Sequence, residues 1–492
     1  MLRKCDILVP NSGGNKKTMI DLNNIKQVHC IGIGGIGLSG IAHVLLSRGF
    51  IVTGSDMNQN DTVVHLMSEG AKIVLGHRAK NVEGADLVVY SAAISKDNPE
   101  LVRAAELGIP CVSRAQMLGE LMKDHYHSIA VSGTHGKTTT TSMVSLILQN
   151  AEKDPTILVG GNLEEIGGNV RVGHSEYFIT EACEYVDSFL ELSPRIEIIL
   201  NIDSDHLDYF KDIDHIVRSF DKFAGLLPDN GLLFAYSANP FVRKVIKGRD
   251  NVITFGLDEN SDYYAEDIEF DDMGRPEFSV YNKDGELCRL HLTVPGEHNL
   301  LNALVSVAVC HTLGIDMDII KNTLEHFGGT QRRFDIMGET RNGMRIIDDY
   351  AHHPTEIKAT LDAASKMNYK KMWVIFQPHT YTRTLALFHE FGHAFKDADI
   401  VVLGEIYAAR EKNIHKLSSK TLVPEIRRDD PGKEVYFFKN LEDIASFVYH
   451  NADPEDLVLT MGAGDVYKVG EMILEMDAAT VQSTTRGEKI DD

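Results

Sequence analysis

Short apolar runs alternate with amphipathic segments over the first quarter of the chain. The apolar runs are typical of buried strands and comprise QVHCIGIGG, IVTGSD, KIVLG, ADLVVYSAA and IPCVS. Between them, apolar residues recur at helical spacing in IGLSGIAHVLLSRG, DTVVHLMSEG and NPELVRAAELG. Strands that alternate with helices in this way predict a parallel, doubly wound sheet. We therefore expect a Rossmann-like N-terminal domain over residues 25–123.

A second block of the same kind covers residues 124–330. The segment HSIAVSGTHGKTTTTSMVSLILQN predicts a strand, a glycine loop and a helix, and YFITEA and EIILNI predict further strands. EFSVYNKDGELCRLHLTV predicts two antiparallel strands around a turn at Asp284–Gly285. NLLNALVSVAVCHTLG is apolar on most of its faces, which is typical of a buried helix. We expect a central P-loop domain here.

A third α/β unit is expected over residues 331–477. Predicted strands alternate there with helical segments, and they comprise MRIIDD, KMWVIFQ, DIVVLG, EVYFF and DLVLTMG. The fold class is therefore α/β with three domains, of which the last is again Rossmann-like. Residues 1–24 and 478–492 lack periodicity, which predicts a disordered N-terminal extension and a disordered tail.

The composition excludes several classes of protein. The chain has 492 residues and a net charge of −23. The negative electrostatic field of such a chain repels nucleic acid. No run approaches the roughly 18 apolar residues of a membrane helix. The six cysteines are scattered, which argues against a zinc knot or a disulfide framework. We expect a cytoplasmic monomer or homodimer that binds small molecules, with no nucleic-acid or membrane partner.

The strongest motif is the loop Gly133-Thr134-His135-Gly136-Lys137-Thr138, between a predicted strand and a predicted helix. Glycines let backbone amides converge on phosphate oxygens. Lys137 is then expected on the β/γ phosphates of ATP and the Thr138 hydroxyl on Mg²⁺. Val131 replaces the first glycine of the strict phosphate-loop pattern. The alternative is an ordinary glycine turn before a helix.

A second glycine loop runs from Gly32 to Gly37, with Asp56 at the end of the next strand. This G-x-G-x-x-G pattern predicts a diphosphate at a helix N-terminus. Because the loop recognises only charge, its ligand could be NAD or another diphosphate. A purely structural turn also remains possible.

Acidic and histidine side chains follow two strands of the central block. Glu181 ends one strand, and Asp205-His206 closely follow another, so both are expected at the ligand crevice. Carboxylate oxygens suit Mg²⁺, and a histidine can join or orient its ligands. A capping or core role is the alternative for His206.

Further polar groups occur later in the chain. Asn299 and Asn302 share a helix face and can both reach a nucleotide, although Asn299 could instead cap the helix. Gln331–Asp335 supplies arginines at a predicted hinge, which are either a phosphate clamp or solvated surface. The segments Asp348–Pro354 and Gln377–Arg383 each follow a predicted strand.

Taken in order, these groups resemble the Mur ligase family of peptidoglycan synthesis. The segments that carry the resemblance are GIGGIGLSGIA, GTHGKTT, the pair Glu181/His206, HNLLN, QRRFD, DDYAHHPTE and QPHTYTRT, and the resemblance as a whole covers roughly residues 25–476. The resemblance implies a UDP-sugar-binding domain, an ATPase domain and a third domain that closes over an amino acid. Two departures from the family are Thr380, where relatives often have arginine, and Ala182-Cys183-Glu184-Tyr185, where many have EADES.

The resemblance also implies roles for individual residues. ATP would be bound by Gly133, Thr134, His135, Gly136, Lys137, Thr138, Thr139, Asn299, Asn302, Arg333 and Asp349. The UDP-sugar would be bound by Gly32, Gly34, Gly35, Ile36, Gly37, Asp56, Ser91, Tyr350, His352 and Arg383. The metal ligands would be Thr138, Glu181 and His206, and the catalytic residues Lys137, His206, Arg333, Asp349 and His352.

The expected reaction follows from the same resemblance. ATP and Mg²⁺ would activate the carboxylate of UDP-N-acetylmuramate as an acyl phosphate, which L-alanine then attacks. A ligase that attaches a whole tripeptide to the same nucleotide sugar would have a similar layout. An NAD-linked oxidoreductase that uses the first glycine loop and a non-catalytic nucleotide-binding regulator also remain open.

Overall fold

The computed structural model describes residues 21–207, 209–409, 411–428 and 430–486. Residues 1–20 of the predicted N-terminal extension therefore lie outside the described residues. The remainder of that extension is not disordered, because Leu22–Asn24 form a turn of 3-10 helix. The Asp21 carboxylate caps this turn by accepting a hydrogen bond from the Asn23 amide at 3.1 Å.

The first sheet holds the elements of the N-terminal block. They are β1 (Gln27–Ile31), α1 (Ile36–Ser47), β2 (Ile51–Asp56), α2 (Asp61–Ser68), β3 (Lys72–Leu75), β4 (Leu87–Tyr90), α3 (Pro99–Leu107), β5 (Cys111–Ser113) and α4 (Arg114–Met122). The strand order is β3-β2-β1-β4-β5, and each pairing is parallel. The predicted doubly wound sheet is confirmed. The order reverses direction at β1, so a crevice opens beside the loop that follows this strand.

The second sheet is larger and only its centre is parallel. Its first elements are β6 (His127–Ser132), α5 (Lys137–Asn150), β7 (Thr156–Leu163), β8 (Gly168–Arg171), β9 (Tyr177–Glu181), β10 (Ile196–Ile199), α6 (Ile213–Ala224) and β11 (Leu232–Tyr236). The others are α7 (Pro240–Ile246), β12 (Val252–Gly256), β13 (Tyr263–Phe270), β14 (Pro276–Asn282), β15 (Gly285–His291), α8 (Glu297–Thr312) and α9 (Met317–Glu325). The order is β15-β14-β13-β12-β11-β10-β6-β9-β7-β8, with antiparallel hairpins at both edges.

The antiparallel pair β14–β15 is confirmed, but its turn lies one residue earlier than predicted. Asn282 pairs with Gly285, so the two turn residues are Lys283 and Asp284. Gly285, at φ +120°, already belongs to the second strand.

The third sheet is parallel except at one edge. Its elements are β16 (Asp335–Glu339), β17 (Arg345–Asp349), α10 (Pro354–Ser365), β18 (Met372–Phe376), α11 (Tyr381–Ala386), α12 (Phe388–Gly392), β19 (Ile400–Leu403), α13 (Val423–Ile426), β20 (Glu434–Phe437), α14 (Leu441–Asn451), β21 (Leu457–Met461) and α15 (Tyr467–Arg486). The order is β16-β17-β21-β18-β19-β20, and only the β16–β17 pairing is antiparallel.

The predicted disordered tail is wrong for residues 478–486, because α15 continues through them to Arg486. Ala478 and Ala479 have high helix propensity. Residues 487–492 lie outside the described residues.

One apolar core is shared by the first two sheets. It unites buried side chains of the first sheet, such as Val28 and Leu121, with those of the second, such as Phe178 and Phe220. A Cβ on Gly119 of α4 would lie only 1.9 Å from the Glu191 carbonyl oxygen, so the two units are in direct contact. The third sheet packs around separate apolar clusters. The structure therefore has three α/β units, whereas the boundaries after residues 123 and 330 stay predictions.

Among the described residues, no helix has both the length and the apolar character that crossing a membrane requires.

Candidate active site

The loop between β6 and α5 has the geometry of an anion cradle. Gly133 and Gly136 lie at φ +138° and +87°, where other residues are strained. A Cβ on Gly136 would come within 2.7 Å of the Asn302 amide oxygen. Helix α5 begins at Lys137, and its first turn contains amides without intrahelical partners. This end of the helix therefore favours a phosphate.

Lys137 is held at the mouth of this loop by three oxygen acceptors. Its Nζ donates to the carbonyl oxygens of Gly133 at 2.5 Å and Thr134 at 3.1 Å, and to the Glu184 carboxylate at 3.0 Å. Burial opposes its charge, but Glu184 outweighs this and the pKa of Lys137 is raised. Lys137 is therefore a fixed positive charge.

Glu184 is a functional candidate that the sequence reasoning missed. Only 2% of it is exposed, and it contacts Lys137 directly. The signal was present, because Glu184 lies in the segment after Glu181 that departs from the family pattern. By itself, that departure indicates only a variant of the pattern and assigns no role to Glu184.

The expected metal ligands Thr138 and Glu181 face the same strand, β7. Glu181 accepts a hydrogen bond from the Gly160 amide at 2.6 Å, and a Cβ on Gly160 would lie 2.8 Å from each of its carboxylate oxygens. A Cβ on Gly161 would lie 3.0 Å from the Thr138 methyl group. The two glycines thus keep a small space open beside oxygen ligands, which suits Mg²⁺.

His206, the third expected metal ligand, lies in the loop after β10. It has φ +52°, and its ring centroid lies 4.7 Å from that of Tyr185. Among the described residues, the groups of three histidine or acidic ligands close enough to share an ion are different ones, His135/Asp203/His353 and His43/His65/Glu69. The set Thr138, Glu181 and His206 stays a prediction.

A cavity of about 370 Å³ opens beside the anion cradle, between the second and third sheets. Several residues predicted to bind ATP line it, namely His135, Gly136, Thr139, Asn299, Asn302, Arg333 and Asp349. Apolar side chains including Tyr236, Phe241, Phe255 and Phe327 form other parts of its wall. An apolar recess next to a phosphate cradle is suited to the base and ribose of a nucleotide.

The two asparagines at the start of α8 connect this helix to the cradle. Asn302 accepts a hydrogen bond from the Thr140 hydroxyl at 3.1 Å and donates to Asn299 at 3.2 Å. The alternative in which Asn299 caps the helix is wrong, because the N-cap is Gly296. Asn299 instead donates to the Pro295 carbonyl oxygen at 2.8 Å.

The two arginines of the hinge have different surroundings. Arg332 donates to Asp348 at 2.9 Å and to the Gly462 carbonyl oxygen at 2.7 Å. It therefore links the hinge to β17 and to the end of β21. Both arginines lie over the Tyr350 ring, at 5.0 and 5.1 Å from its centroid, but of the two Arg333 is the one that lines the cavity. The structure therefore favours Arg333 as the residue that faces a nucleotide.

Asp349 lies at the end of β17 and organises the hinge. Its carboxylate accepts hydrogen bonds from the amides of Phe334 and Ala351, each at 2.7 Å. Burial raises the pKa of Asp349 to about 6, although nearby Arg333 opposes this shift. Its place in the cavity wall agrees with the predicted ATP clamp, which stays a prediction.

Residues of the third α/β unit form hydrogen bonds with the loop that follows β10. Thr355 donates to the Asp203 carboxylate at 2.6 Å, and the His353 ring lies 2.9 Å from the Ser204 carbonyl oxygen. Arg383 donates to Asp205 from Nε at 3.1 Å and from Nη2 at 3.0 Å. These contacts hold the second and third sheets together around the cavity.

His135 of the cradle takes part in the same interface. Its ring nitrogens lie 3.1 Å from Glu356 and 3.5 Å from Asp203. Burial would lower its pKa, but these two carboxylates raise it to about 9. An imidazolium thus links α10 to the phosphate loop.

Tyr350, His352 and Arg383, predicted to contact the UDP-sugar, gather at this interface beside Asp205. Tyr350 and His352 have ring centroids 5.4 Å apart, and the Arg383 guanidinium is occupied by Asp205. Burial lowers the pKa of His352 to about 4. This value disfavours His352 as a general base, because a base works best with a pKa near the working pH.

The first glycine loop is shaped by Asp56, one of the residues expected to bind the UDP-sugar. Its carboxylate accepts a hydrogen bond from the Gly34 amide at 2.9 Å. A Cβ on Gly37 would come within 2.9 Å of the Arg114 guanidinium, and one on Gly32 would lie 3.5 Å from Ser91 Cβ. Arg114 therefore adds a cation to the expected diphosphate site. The sequence reasoning missed it because no motif surrounds Arg114.

Some residues of the interface have a strained backbone. Left-handed φ angles occur there at the non-glycine residues His206, Arg332, Phe334 and Thr380, and also at residues elsewhere, such as Asp267 in β13. Each such residue costs about 1–3 kcal/mol and persists only where its surroundings enforce it. Strain of this kind gathers at functional sites.

Three family models match consecutive parts of the chain. They are described as "Mur ligase family, catalytic domain" at residues 27–126, "Mur ligase middle domain" at 131–310 and "Mur ligase, glutamate ligase domain" at 332–464. Together the matches cover most of the chain.

The chain is also similar to curated proteins and solved structures. It is 50% identical to the UDP-N-acetylmuramate–L-alanine ligases of Acetivibrio thermocellus and Caldanaerobacter subterraneus, over 93% of this chain and 97% and 99% of theirs. The UDP-N-acetylmuramate-alanine ligase of Thermotoga maritima matches with TM-score 0.76 and 30% identity, over 93% of this chain and 100% of that one. A murein peptide ligase of Psychrobacter arcticus matches with TM-score 0.68 and 26% identity, over 92% and 98%.

Proposed function

The chain belongs to the Mur ligase family, and from this premise we propose that it joins L-alanine to the carboxylate of UDP-N-acetylmuramate with ATP as the energy source. Its relatives at 50% identity carry the name of that activity. The reaction belongs to peptidoglycan precursor synthesis. A cytoplasmic location, where ATP and UDP-sugars are available, is part of the proposal.

The observation that carries the proposal is the closed cavity beside the anion cradle. Its wall combines the loop that starts α5 with Arg333 and Asp349 of the third sheet. ATP bound there would have its base in the apolar recess and its phosphates at the N-terminus of α5. The third sheet would then contribute to the ATP site only when it is closed onto the second.

The reaction has two steps. An oxygen of the sugar-linked carboxylate attacks the γ-phosphorus of ATP, which releases ADP and leaves an acyl phosphate. The neutral amine of alanine then attacks the acyl carbon, and inorganic phosphate leaves with the bonding electrons. The amine proton passes to solvent or a nearby base.

The first step brings two anions together, so this chain must supply positive charge. Two unit charges 4 Å apart repel by about 1 kcal/mol in water and about 4 kcal/mol at an effective dielectric constant of 20. Lys137 is a fixed cation at the cradle, and Arg333 lies in the cavity wall. Mg²⁺ at Thr138, Glu181 and His206 would neutralise phosphate charge when bound.

The second step requires a neutral amine. His352 and His379 at the interface both have their pKa lowered to about 4, chiefly by burial. Both rings are therefore neutral and weakly basic at physiological pH. We infer that the alanine amine is deprotonated mainly by the medium, so turnover rises with pH on the alkaline side.

The competing functions are disfavoured on specific grounds. The murein peptide ligase matches less closely than the alanine ligase of Thermotoga maritima, in both TM-score and identity. Membership of the Mur ligase family disfavours the oxidoreductase interpretation and supports the proposal that the first glycine loop binds the diphosphate of UDP. A non-catalytic regulator would bind ATP without sugar-dependent phosphate release, which the experiment below measures.

Phosphate release tests the proposal directly. The enzyme is incubated with ATP, Mg²⁺ and UDP-N-acetylmuramate, and alanine, glycine, serine and a tripeptide are compared. We expect alanine to give the highest kcat/KM, and Lys137→Ala to lower turnover by about 10²–10³-fold or more while the fold is retained. Lys247→Ala, at an exposed lysine after α7, is the matched control. A preference for the tripeptide, or normal turnover in Lys137→Ala, would overturn the proposal.

A further inference from the structure

Two histidines and a glutamate form a compact cluster on the first domain, outside the ATP cavity. His43 lies in α1, His65 in α2, and Glu69 follows α2 as its C-cap. The distance from His43 Nδ1 to Glu69 Oε2 is 2.5 Å, and that from His65 Nε2 to Glu69 Oε1 is 3.3 Å. The ring centroids of the two histidines are 5.3 Å apart. Three possible ligand atoms thus lie within 4.8 Å of one another.

The cluster opens into a groove of about 900 Å³ between the first domain and the hairpin β7–β8. His43, His65, Glu69 and Asp61 line one wall, and Asn162 and residues 166–170 line the other. The groove gives solvent and ions access to the cluster. It also provides room for water as an additional ligand.

The type and spacing of these groups favour one class of ligand. Two imidazole nitrogens and one carboxylate suit zinc, cobalt or nickel, whereas Mg²⁺ prefers oxygen ligands in an octahedron. In a tetrahedral site with bonds near 2.0–2.2 Å, ligand atoms lie about 3.3 Å apart. The His65–Glu69 contact through Oε1 already has this length, and the His43–Glu69 contact through Oε2 is shorter. Because all three ligand atoms lie within 4.8 Å of one another, small side-chain movements would bring them to one ion. His65 is 65% exposed, so its ring can rotate towards His43 without repacking the core.

We propose that His43, His65 and Glu69 form a binding site for a divalent transition-metal ion such as Zn²⁺, with groove water completing the coordination.

An ion at this position would connect the two helices that flank the first glycine loop. Helix α1 starts at Ile36, directly in that loop. Asn60, the N-cap of α2, donates to the Gly34 carbonyl oxygen at 3.0 Å. The ion would therefore stabilise the helix pair at the end opposite to the expected diphosphate site.

Cobalt titration of the full chain, without nucleotide and with excess Mg²⁺, tests the site. Co²⁺ in a nitrogen and oxygen site gives visible absorption bands without the charge-transfer band of a thiolate, which separates it from cysteine binding. We expect the wild-type chain to bind one equivalent more than His65→Ala and Glu69→Gln. Their affinity at this site should fall by more than the roughly 10–100-fold that loss of an outer-shell partner costs. Zn²⁺ should raise the thermal midpoint of the wild type more than that of either variant.

The matched control is His450→Ala. This histidine is also exposed on a helix, but its ring contacts the Ser446 carbonyl oxygen. Its removal should leave cobalt stoichiometry unchanged. Because neither His65 nor His450 belongs to the ligase site, alanine-dependent phosphate release should be normal in both variants. Equal cobalt stoichiometry in the wild type, His65→Ala and Glu69→Gln would overturn the proposal.

Discussion

At the scale of single residues, several charged groups in this protein are defined by burial and by contacts from distant segments. Lys137 and His135 keep their charge because carboxylates face them. Glu197 in β10 differs, because it is completely buried and neither carboxylate oxygen accepts a hydrogen bond from the described residues. Its strand neighbours are Ala130 and Leu233, both part of the apolar core.

Glu197 should make stability depend on pH. Burial raises its pKa well above 4.5, and distant Arg249 does not compensate. The native state therefore binds this proton more tightly than the unfolded state. The stability that the protonated carboxyl contributes is fully present below pH 4.5 and is lost as the pH rises through the folded pKa. Replacing Glu197 by Met should raise the free energy of unfolding by about 1–3 kcal/mol at neutral pH, and Glu197→Gln should reduce the pH dependence. Urea denaturation at several pH values measures both effects.

The control for this prediction is Glu259→Gln. Glu259 is exposed, so its replacement should change the free energy of unfolding by less than about 0.5 kcal/mol. If Glu197→Met proves less stable than the wild type at pH 8, the carboxylate has a partner and the argument fails.

At the scale of elements, the strand β7 brings two glycines against the expected metal ligands. Gly160 and Gly161 leave room at Glu181 and Thr138 that larger residues would fill. The sequence reasoning did not predict the hairpin β7–β8, because TILVGGNL contains consecutive glycines and lacks a regular alternation. Close approach to other side chains explains these glycines, and such contacts are visible only in the fold.

Gly160→Ala should damage the metal site selectively. The new Cβ would lie 2.8 Å from both Glu181 oxygens, so this carboxylate must move. We expect the Mg²⁺ concentration for half-maximal phosphate release to rise about tenfold, with little change in the circular dichroism spectrum. Gly432→Ala, in a turn where the nearest neighbouring atom is 3.5 Å away, should behave as the wild type. An unchanged Mg²⁺ dependence in Gly160→Ala would exclude Glu181 as a ligand.

The elements that the sequence predicted well are those with strong local patterns. The parallel strands and the helix after each glycine loop followed from periodicity or backbone chemistry. The antiparallel edge strand β16 and the extension of α15 did not, because their sequences are short or polar. The pairing of Arg383 with Asp205 joins residues 178 positions apart, and local patterns carry no information on such contacts.

At the scale of the whole molecule, closure of the third domain depends on a few polar contacts with the loop after β10. The pair Arg383–Asp205 is the most buried ion pair among these contacts, with exposed side-chain fractions of 12% and 10%. Burial alone would raise the pKa of Asp205, but Arg383 holds it well below its usual range. The two groups are therefore both charged, and each depends on the other.

Asp205→Asn should favour an open molecule. Removing one charge from a buried pair costs about 3–5 kcal/mol, because the partner is left uncompensated. We expect a larger radius of gyration in small-angle X-ray scattering and a higher KM for alanine, with secondary structure retained. Glu277→Gln, which breaks the exposed Glu277–Arg289 pair, should change neither quantity. A compact Asp205→Asn variant would show that other contacts are sufficient for closure.

The core shared by the first and second sheets has a consequence for substrate selection. Since these two units cannot separate without exposing that core, the span between the two glycine loops is set before any substrate arrives. A nucleotide sugar anchored by its diphosphate at one loop must then reach the γ-phosphate at the other over a constant length. Analogues whose carboxylate arm is a few ångströms too short or too long would bind normally and yet fail to react. The enzyme therefore selects its substrate by the length of this arm as well as by binding contacts.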